Sequence, residues 1–416
     1  MSRLERRTVF GQMLPSLRDA ECTPDIFMIA GFGNTGVVIT EEGVVVVDNT
    51  PLTSAKVIEA IRERTKAPIH TLIYTHGHGD HAFGGAPFLE DARERGHPRP
   101  RVIAHELVPE RFQRYKKLAR YNRYINGIQG GRSYTPPPED AQFLLPDAAY
   151  PDITYSDAMQ FRLGDLTFEL YHYMGETEDG TWVWIPERKT AIVGDLMTGV
   201  CPNVGNPFKT QRYALEWAEG LERVAAKNPD FLIPGHGRLL QGKEIQEICL
   251  DTARLLRYIH DEVIRLLNEG CWIEEILERV KIPEDLAGKR WLAPVYGCAA
   301  YIIHGVHRRY AGWFNGNASE LFPSRSADIA AEVVAVSGAD VLMERARKLQ
   351  QEGNVQLALH VVDFAVKGAK DPSKRKEALL LRAELLDARA EAEVNSIARN
   401  IMLVGAEQAE QEANSL

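Results

Sequence analysis

The sequence of 416 residues has no run of eighteen apolar residues, so we expect no segment to span a membrane. Its first 25 residues include no apolar stretch of the kind that a secretory signal peptide needs, so none is expected. It has only five cysteines, an odd number and widely scattered, which argues against a disulfide framework. These absences predict a cytoplasmic protein.

Basic residues are fewer than acidic ones, 49 against 58. The formal net charge of −9 argues against nucleic acid as a partner, because binding phosphates needs a basic surface. The content of 44% hydrophobic and 26% charged residues is typical of a globular protein. The length predicts two domains.

The N-terminal part of the chain alternates between strand and helix patterns. A hairpin is indicated where two runs of β-branched residues flank Glu41–Gly43. Apolar spacing predicts strands at Asp25–Ala30, Val37–Thr40, Val44–Val47 and His70–Tyr74. It predicts a helix at Thr53–Thr65. Gly31, Gly33 and Gly36 match the dinucleotide-binding spacing GxGxxG, but that fingerprint must open a helix. Since a hairpin follows here, we interpret them as turn glycines.

The pattern changes twice further along the chain. Residues 98–157 look irregular, and such a long stretch inside a compact domain is usually functional, so we predict that they cover the substrate. Beyond residue 244 the apolar spacing is helical, with breaks at Gly353-Asn354 and Asp371-Pro372 that resemble tetratricopeptide hairpins. We therefore predict an α/β domain over residues 1–244 and an all-helical domain over residues 245–416.

Four side chains that can bind a metal lie within six residues of the segment TLIYTHGHGDHAFGG, which spans Thr71–Gly85. They are His76, His78, Asp80 and His81. The glycines between them let the backbone turn tightly, so the side chains can converge on one point. Imidazoles with a carboxylate suit zinc or a similar first-row ion.

This segment resembles the HxHxDH signature of the metallo-β-lactamase superfamily. Asp48, Asp195 and His236 each end a predicted strand, as residues of that family's site do, and the resemblance covers residues 23–243. It implies an αββα sandwich in which strand ends at one edge hold two metal ions. By motif position it places His76 and His78 on one ion, Asp80, His81 and His236 on the other, and Asp195 between them.

A glutamate stands where the superfamily usually presents a histidine. The segment Tyr173–Gly180 has Glu176 in that place, with Glu178 and Asp179 as competing ligands. A glutamate at this position resembles the alkylsulfatase branch. Two divalent ions would then face three carboxylates, and a bridging hydroxide would bring the centre to neutrality. We therefore expect polar or cationic side chains to help hold an anionic substrate, with Asn122, Lys209 and Arg212 as candidates.

A second resemblance to alkylsulfatases lies far from the metal ligands. The segment His307–Pro323 contains the Gly-Trp-Phe-x-Gly-Asn pattern that begins their dimerisation domain, and Ser396–Asn400 resembles a later part of it. The resemblance implies a homodimer. Such enzymes commonly continue into a lipid-binding domain, for which we expect no counterpart in this sequence.

The sequence thus predicts a dinuclear metal-dependent hydrolase that uses two divalent ions, Zn²⁺ by expectation, and a metal-bridging hydroxide to cleave sulfuric esters. Asp80 is expected both to bind metal and to orient the nucleophile. The alternative is the hydrolysis of another bond, in a phosphate ester, carboxylic ester, lactone or sulfamate. A flavin-linked di-iron protein is disfavoured, because that group resembles HxExDH whereas this chain has His78.

Overall fold

The structure is a computed structural model that describes residues 3–7, 18–132 and 135–416, and these residues form two compact units. One unit comprises residues 18–119 and 140–311 and contains the β-sheets. The other comprises residues 3–7, 120–132, 135–139 and 312–416 and is helical. Residues 1–2, 8–17 and 133–134 of the predicted domains lie outside the described residues.

The first β-sheet contains strands in chain order. Its N-terminal strands pair antiparallel, and its last pairings, from β4 to β7, are parallel. The predicted hairpin is confirmed, since Val37 lies opposite Val46. The strands are β1 (Ala20–Thr23), β2 (Ile26–Ile29), β3 (Thr35–Thr40), β4 (Gly43–Val47), β5 (Ile69–Ile73), β6 (Arg101–His105) and β7 (Ile153–Tyr155).

The second β-sheet runs in the order β13-β12-β11-β10-β9-β8, with β11 and β12 parallel and the other pairs antiparallel. Its strands are β8 (Ala158–Leu163), β9 (Leu166–Tyr173), β10 (Gly180–Ile185), β11 (Thr190–Gly194), β12 (Phe231–Pro234) and β13 (Leu240–Gln241).

The two sheets pack face to face and helices cover both outer faces. Alternation along a strand explains this: Val45 packs between the sheets, whereas Val44 packs under the helices of the first sheet. In the same way Val183 faces the first sheet and Trp182 faces outward, against helices. The predicted αββα sandwich is confirmed. Its helices are α2 (Ser54–Arg64), α3 (Gly79–Ala82), α4 (Ala86–Glu94), α5 (Leu107–Lys117), α7 (Ala214–Ala226), α8 (Lys243–Asn268), α9 (Ile273–Arg279), α10 (Glu284–Ala287) and α11 (Ala299–Tyr310).

Residues 98–157 are more regular than the sequence pattern indicated. They contain β6, α5, α6 (Ala119–Gln129) and β7. Many charged residues obscure the helical spacing of α5, although Val108 and Phe112 on it are fully buried in the sandwich core. That this segment covers the substrate stays a prediction.

The division between the units also differs from the predicted boundary at residue 244. The helix that opens the predicted second domain, α8, packs its apolar face on α7, and Ile248 and Leu256 share one core with Trp217. Residues 245–311 therefore belong to the sheet-containing unit by packing.

The helical unit contains successive antiparallel helix pairs. Gly353, with φ +82°, makes the left-handed turn between two of them, as the sequence predicted. Their shared core includes Met343, Leu359, Val362 and Leu385. The helices are α1 (Arg3–Arg6), α6, α12 (Ser326–Ser337), α13 (Ala339–Gln351), α14 (Val355–Gly368), α15 (Pro372–Glu391) and α16 (Ser396–Ser415).

Across the described residues, no helix combines the length and the apolar character that crossing a bilayer requires.

Candidate metal centre

The candidate site lies where strands of both sheets end. Asp48 follows β4 and the segment Thr75–His81 follows β5, and these two strands are parallel neighbours. In the other sheet Asp195 follows β11 and His236 comes shortly after its parallel neighbour β12. Because parallel strands end at the same edge, this topology brings distant parts of the chain to one place.

The predicted ligands form two groups, and within each group the ligand atoms lie within 4.8 Å of one another. One group is His76, His78, Glu176 and Asp195; the other is Asp80, His81 and His236. Asp195 lies between them. Its Oδ1 is 3.2 Å from Nε2 of His81 and 3.3 Å from Nε2 of His236, and its Oδ2 is 3.8 Å from Nε2 of His76.

Asp48 holds the segment Thr75–His81 in place, although it belongs to neither of the two ligand groups. Its carboxylate accepts hydrogen bonds from the backbone N–H and the hydroxyl of Thr75, at 2.6 and 2.7 Å. It also lies 2.7 Å from Nδ1 of His81. A proton on that Nδ1 leaves the lone pair on Nε2 directed at Asp195, which is how a carboxylate prepares a histidine for metal binding.

Among the three acidic candidates on the loop after β9, the structure brings Glu176 into a ligand group. Glu178 and Asp179 instead pair with Arg111, whose Nε donates to Asp179 at 2.7 Å and whose terminal nitrogen donates to Glu178 at 2.6 Å. Asp179 also accepts a hydrogen bond of 3.1 Å from the backbone N–H of Gly77. It thereby ties the loop of Glu176 to the loop of His76.

The donor set fits metal cations. Nε2 of His81, Oε2 of Glu176 and Oδ1 of Asp195 are buried and have no hydrogen-bond partner among the described residues. Nε2 of His76 and Nδ1 of His78 point at each other from 2.9 Å. Buried donors and acceptors without partners are costly. A cation bound by each group would satisfy them, and imidazole with carboxylate suits zinc-like ions.

The pKa values of His76 and His78 agree with that fit. Burial, with His81 nearby, lowers the pKa of His76 to about 4, and burial also holds the pKa of His78 well below its usual value. Both imidazoles are therefore neutral near pH 7, as metal ligands must be.

Burial opposes ionisation of Asp195, but His236 and His81 hold its pKa well below the usual range. Burial opposes the charged form of His81, but Asp195 and Asp80 hold its pKa well above the usual value, and burial raises the pKa of Glu176, so metal binding would displace protons from these two ligands.

Two glycines allow backbone and ligands to approach closely. A Cβ at Gly33 would lie 2.2 Å from the carbonyl oxygen of Asp80, and one at Gly235 would lie 2.1 Å from Oδ1 of Asp195. Gly33 thus lies in a bend against the loop of Asp80. The interpretation as turn glycines was wrong for Gly36, which lies within β3 and pairs with Met28 and Val47. Asn34 donates to the carbonyls of Pro234 and Gly237, at 3.0 and 2.9 Å, and so holds the loop of His236.

The predicted substrate contacts have different surroundings. Arg212 is buried and donates to Glu176 and to the carbonyl of Asn203. Burial and the charge of Arg212 lower the pKa of Lys209 to about 7, although the charges of Glu176 and Asp80 raise it. Asn122 lies on α6 in the helical unit. Binding of substrate by these residues stays a prediction.

Two positioning residues, Arg111 and Asn34, are not predictable from the sequence. Both act through partners far away in the chain, 68 residues for Arg111 with Asp179 and 200 for Asn34 with Pro234. No local pattern in the sequence marks such pairs.

Comparison with known proteins adds two family matches. The metallo-beta-lactamase superfamily matches residues 28–236, and the alkyl sulfatase dimerisation family matches residues 272–412. A linear primary-alkylsulfatase from Pseudomonas sp. (strain ATCC 19151) is 26% identical over 346 residues, which cover 78% of this chain and 65% of that protein. The 2,4-dinitroanisole O-demethylase subunit alpha from Nocardioides sp. (strain JS1661) is 33% identical over 288 residues, which cover 66% of this chain and 74% of that protein.

The fold has a counterpart among solved structures. The stereoselective inverting sec-alkylsulfatase from Pseudomonas sp. superposes with a TM-score of 0.81 at 21% identity, over 97% of this chain and 67% of that one. At this identity the likeness shows the fold. The chain spans 65% of the linear primary-alkylsulfatase named above and 61% of an (R)-specific secondary-alkylsulfatase from Pseudomonas sp., less than two thirds of either.

Proposed function

The chain belongs to the metallo-β-lactamase superfamily, and on that premise we propose that it is a metal-dependent hydrolase of sulfuric esters. The observation that carries this proposal is the place of Glu176, which joins His76, His78 and Asp195 in one ligand group. The match of residues 272–412 to the alkyl sulfatase dimerisation family supports it independently.

The proposed cofactor is a pair of divalent ions, with Zn²⁺ as the proposed metal. His76, His78 and Glu176 would hold one, Asp80, His81 and His236 the other, and the carboxylate of Asp195 would serve both. When bound, such a pair acidifies a shared water into a hydroxide and stabilises the leaving oxygen.

Side chains of the protein would orient the attacking water and bind the sulfate group. Asp80 is the most exposed of the carboxylates, with 22% of its side chain accessible against 6% for Asp195, so it can accept a hydrogen bond from the attacking water and orient it. Arg212 places positive charge beside Glu176, where the sulfate group would bind, and Lys209, whose pKa is about 7, would add charge there when it is protonated. Overall, R–OSO₃⁻ and water give R–OH and HSO₄⁻.

The proposal is tested with a substrate panel on zinc-loaded protein. The panel contains primary and secondary alkyl sulfates, an aryl sulfate, a phosphodiester, a lactone and 2,4-dinitroanisole. Release of inorganic sulfate together with the alcohol is the expected result, and Asp195→Ala, which removes a shared ligand, is the control for contaminating activity. Turnover of another ester or of the ether, without sulfate release, would replace this function by that one.

We also propose that the protein is a homodimer formed through the helical unit. That unit exposes large apolar side chains, including Trp313 at 77%, Phe322 at 89% and Val336 at 90%. Exposed apolar surface of this kind marks an interaction site. All five cysteines are free, which supports the proposed cytoplasmic location.

A further inference from the structure

The loop of residues 203–213 lies between β11 and α7 and carries Arg212 close to its end. The guanidinium of Arg212 donates to Glu176 and, at 2.8 Å, to a carbonyl at the start of the same loop. Directly after it, the backbone N–H of Tyr213 donates at 2.9 Å to the carbonyl of Gly175, the residue before Glu176. The direction of this guanidinium therefore depends on the course of the loop.

Helix α11 supports the loop through close backbone packing. A Cβ at Gly205 would lie 1.6 Å from the carbonyl oxygen of Tyr301 on α11, so a side chain there would force the backbone apart. On the helix, a Cβ at Gly305 would lie 3.0 Å from Cγ1 of Val204. Because both positions are glycines, the loop and the helix can touch, and polar side chains can join the rest of the loop to α11.

Arg308 on α11 binds the loop with three hydrogen bonds. Its guanidinium donates to Oε1 of Gln211 at 3.2 Å and to the carbonyls of Lys209 and Thr210 at 3.3 and 3.2 Å. These acceptors are neutral oxygens, so the bonds depend on geometry rather than on an opposite charge. A planar guanidinium presents its donors in a fixed fork, which the compact ammonium of a lysine does not reproduce.

Gln211 completes the connection between the loop and α11. Its side-chain nitrogen donates at 2.9 Å to the carbonyl of Gly305 on the helix. The same nitrogen donates at 2.6 Å to the carbonyl of Arg212. One amide thus joins the helix, the guanidinium of Arg308 and the backbone of the residue that pairs with Glu176. We call Gln211 and Arg308 together the loop clasp.

The charge of Arg308 also lies near that of Arg212. Burial and the charge of Arg212 lower the pKa of Arg308. Two like charges repel each other, so the hydrogen bonds of the loop clasp must hold this arrangement against repulsion. An anion bound beside Arg212 would reduce that repulsion, which favours anion binding where the loop is held.

We propose that Gln211 and Arg308 are positioning residues for anion binding. They fasten the loop of residues 203–213 to α11 and thereby direct the guanidinium of Arg212 towards an anion bound beside Glu176. The inference rests on the proposed function for the identity of that anion. Neither residue of the loop clasp needs to touch the substrate.

The test measures binding to full-length, zinc-loaded protein by calorimetry. The probe is octane-1-sulfonate, an anion with no ester bond to cleave, and imidazole is the comparison because it is a neutral ligand of zinc. Arg308→Gln lowers the affinity for octane-1-sulfonate about tenfold, since Arg212 is no longer held in one direction. It changes the affinity for imidazole less than about twofold and leaves the zinc content unchanged, so the loss concerns the anion and not the metal centre.

Further variants separate a clasp from a simple charge. Arg308→Lys keeps the positive charge but not the fork, so it binds octane-1-sulfonate at least about fivefold more weakly than the parent. Gln211→Leu lowers this affinity about tenfold, and adding Arg308→Gln lowers it by less than about threefold more, because both changes release one loop. The matched control is Arg254→Gln, which removes an exposed guanidinium of α8 that pairs with Asp285 and changes the affinity less than about twofold.

The outcomes separate this inference from the proposed function. Parental affinity for octane-1-sulfonate in both Arg308→Gln and Gln211→Leu overturns the loop clasp, even where alkyl sulfates are hydrolysed. Full affinity in Arg308→Lys overturns it too, since charge alone would then suffice, and so does an equal fall in the affinity for imidazole. A parent protein that does not bind the sulfonate also removes the inference. Weaker binding of the sulfonate alone in the clasp variants, with no sulfate released from any ester, upholds the loop clasp and removes the proposed function.

Discussion

Arg111→Met removes the positive charge that pairs with the buried carboxylate of Asp179, which links two loops of the metal centre. Asp179 is fully buried and accepts hydrogen bonds from Nε of Arg111 and from the backbone N–H of Gly77. Gly77 lies between His76 and His78, and Asp179 is three residues from Glu176. We therefore expect Arg111→Met to lower both the free energy of unfolding and the affinity for metal.

The magnitude follows from the pKa of Asp179. Burial alone would raise it, but Arg111, with smaller contributions from His76 and Thr177, lowers it from 3.8 to about 2. The stabilisation that this shift represents is about 2.5 kcal/mol; it is present above pH 4 and lost as the pH falls towards 2, because the folded pKa is the lower one. Removing one partner of a buried pair typically costs about 3–5 kcal/mol, so the expected loss is about 2.5–5 kcal/mol.

Urea unfolding of the metal-free protein at pH 7 measures this loss. Tryptophan fluorescence is a suitable probe, because five of the six tryptophans lie in the sheet-containing unit. Arg114→Met is the matched control. Among the described carboxylates Arg114 pairs with Glu178 alone, at 3.2 Å, and its side chain is 32% exposed, so the substitution should change stability by about 0–1 kcal/mol. Equal denaturation midpoints and equal zinc content for the two variants would refute the reasoning.

Three further predictions concern the ligands and the assembly. Glu176→Ala should reduce the metal content from two ions per chain to one in elemental analysis, whereas Glu178→Ala should keep both, since Glu178 pairs with Arg111. Asp48→Asn should weaken zinc binding about 10- to 100-fold in chelator competition, because it weakens the hydrogen bond that orients His81. Light scattering should give twice the monomer mass of 46.6 kDa at micromolar concentration, and Phe322→Glu with Val336→Glu should give the monomer mass.

The sequence could predict the features that depend on residues close together in the chain. His76, His78, Asp80 and His81 lie within six residues after a strand, so their convergence requires only a tight loop. Glu176, Asp195 and His236 could be added because a family resemblance supplied the topology that joins them. The αββα sandwich was likewise implied by the family resemblance. In the structure its strands bury neighbouring residues, such as Val44 and Val45, on two opposite faces.

What the sequence could not show depends on long-range packing. The predicted boundary at residue 244 followed a change in periodicity, but periodicity shows only that α8 has an apolar face. Which surface covers that face is decided by α7, where Trp217 and Leu221 complete a shared core. Similarly, the irregular pattern of residues 98–157 did not show that Arg111 on α5 pairs inward with Asp179.

Arg212 changes the net charge around Glu176 in the metal centre. With histidine in place of Glu176, two divalent ions, Asp80, Asp195 and a hydroxide would leave the centre cationic; with glutamate the same sum is neutral. In the structure, however, Glu176 is paired with the buried guanidinium of Arg212, which restores one positive charge at the same place. This positive charge lies on the guanidinium of Arg212, which has further N–H donors, and not on the metal ions. On the proposed function, a sulfate ester would therefore be held by directed hydrogen bonds on the Glu176 side, while the water-accessible carboxylate of Asp80 would orient the nucleophile.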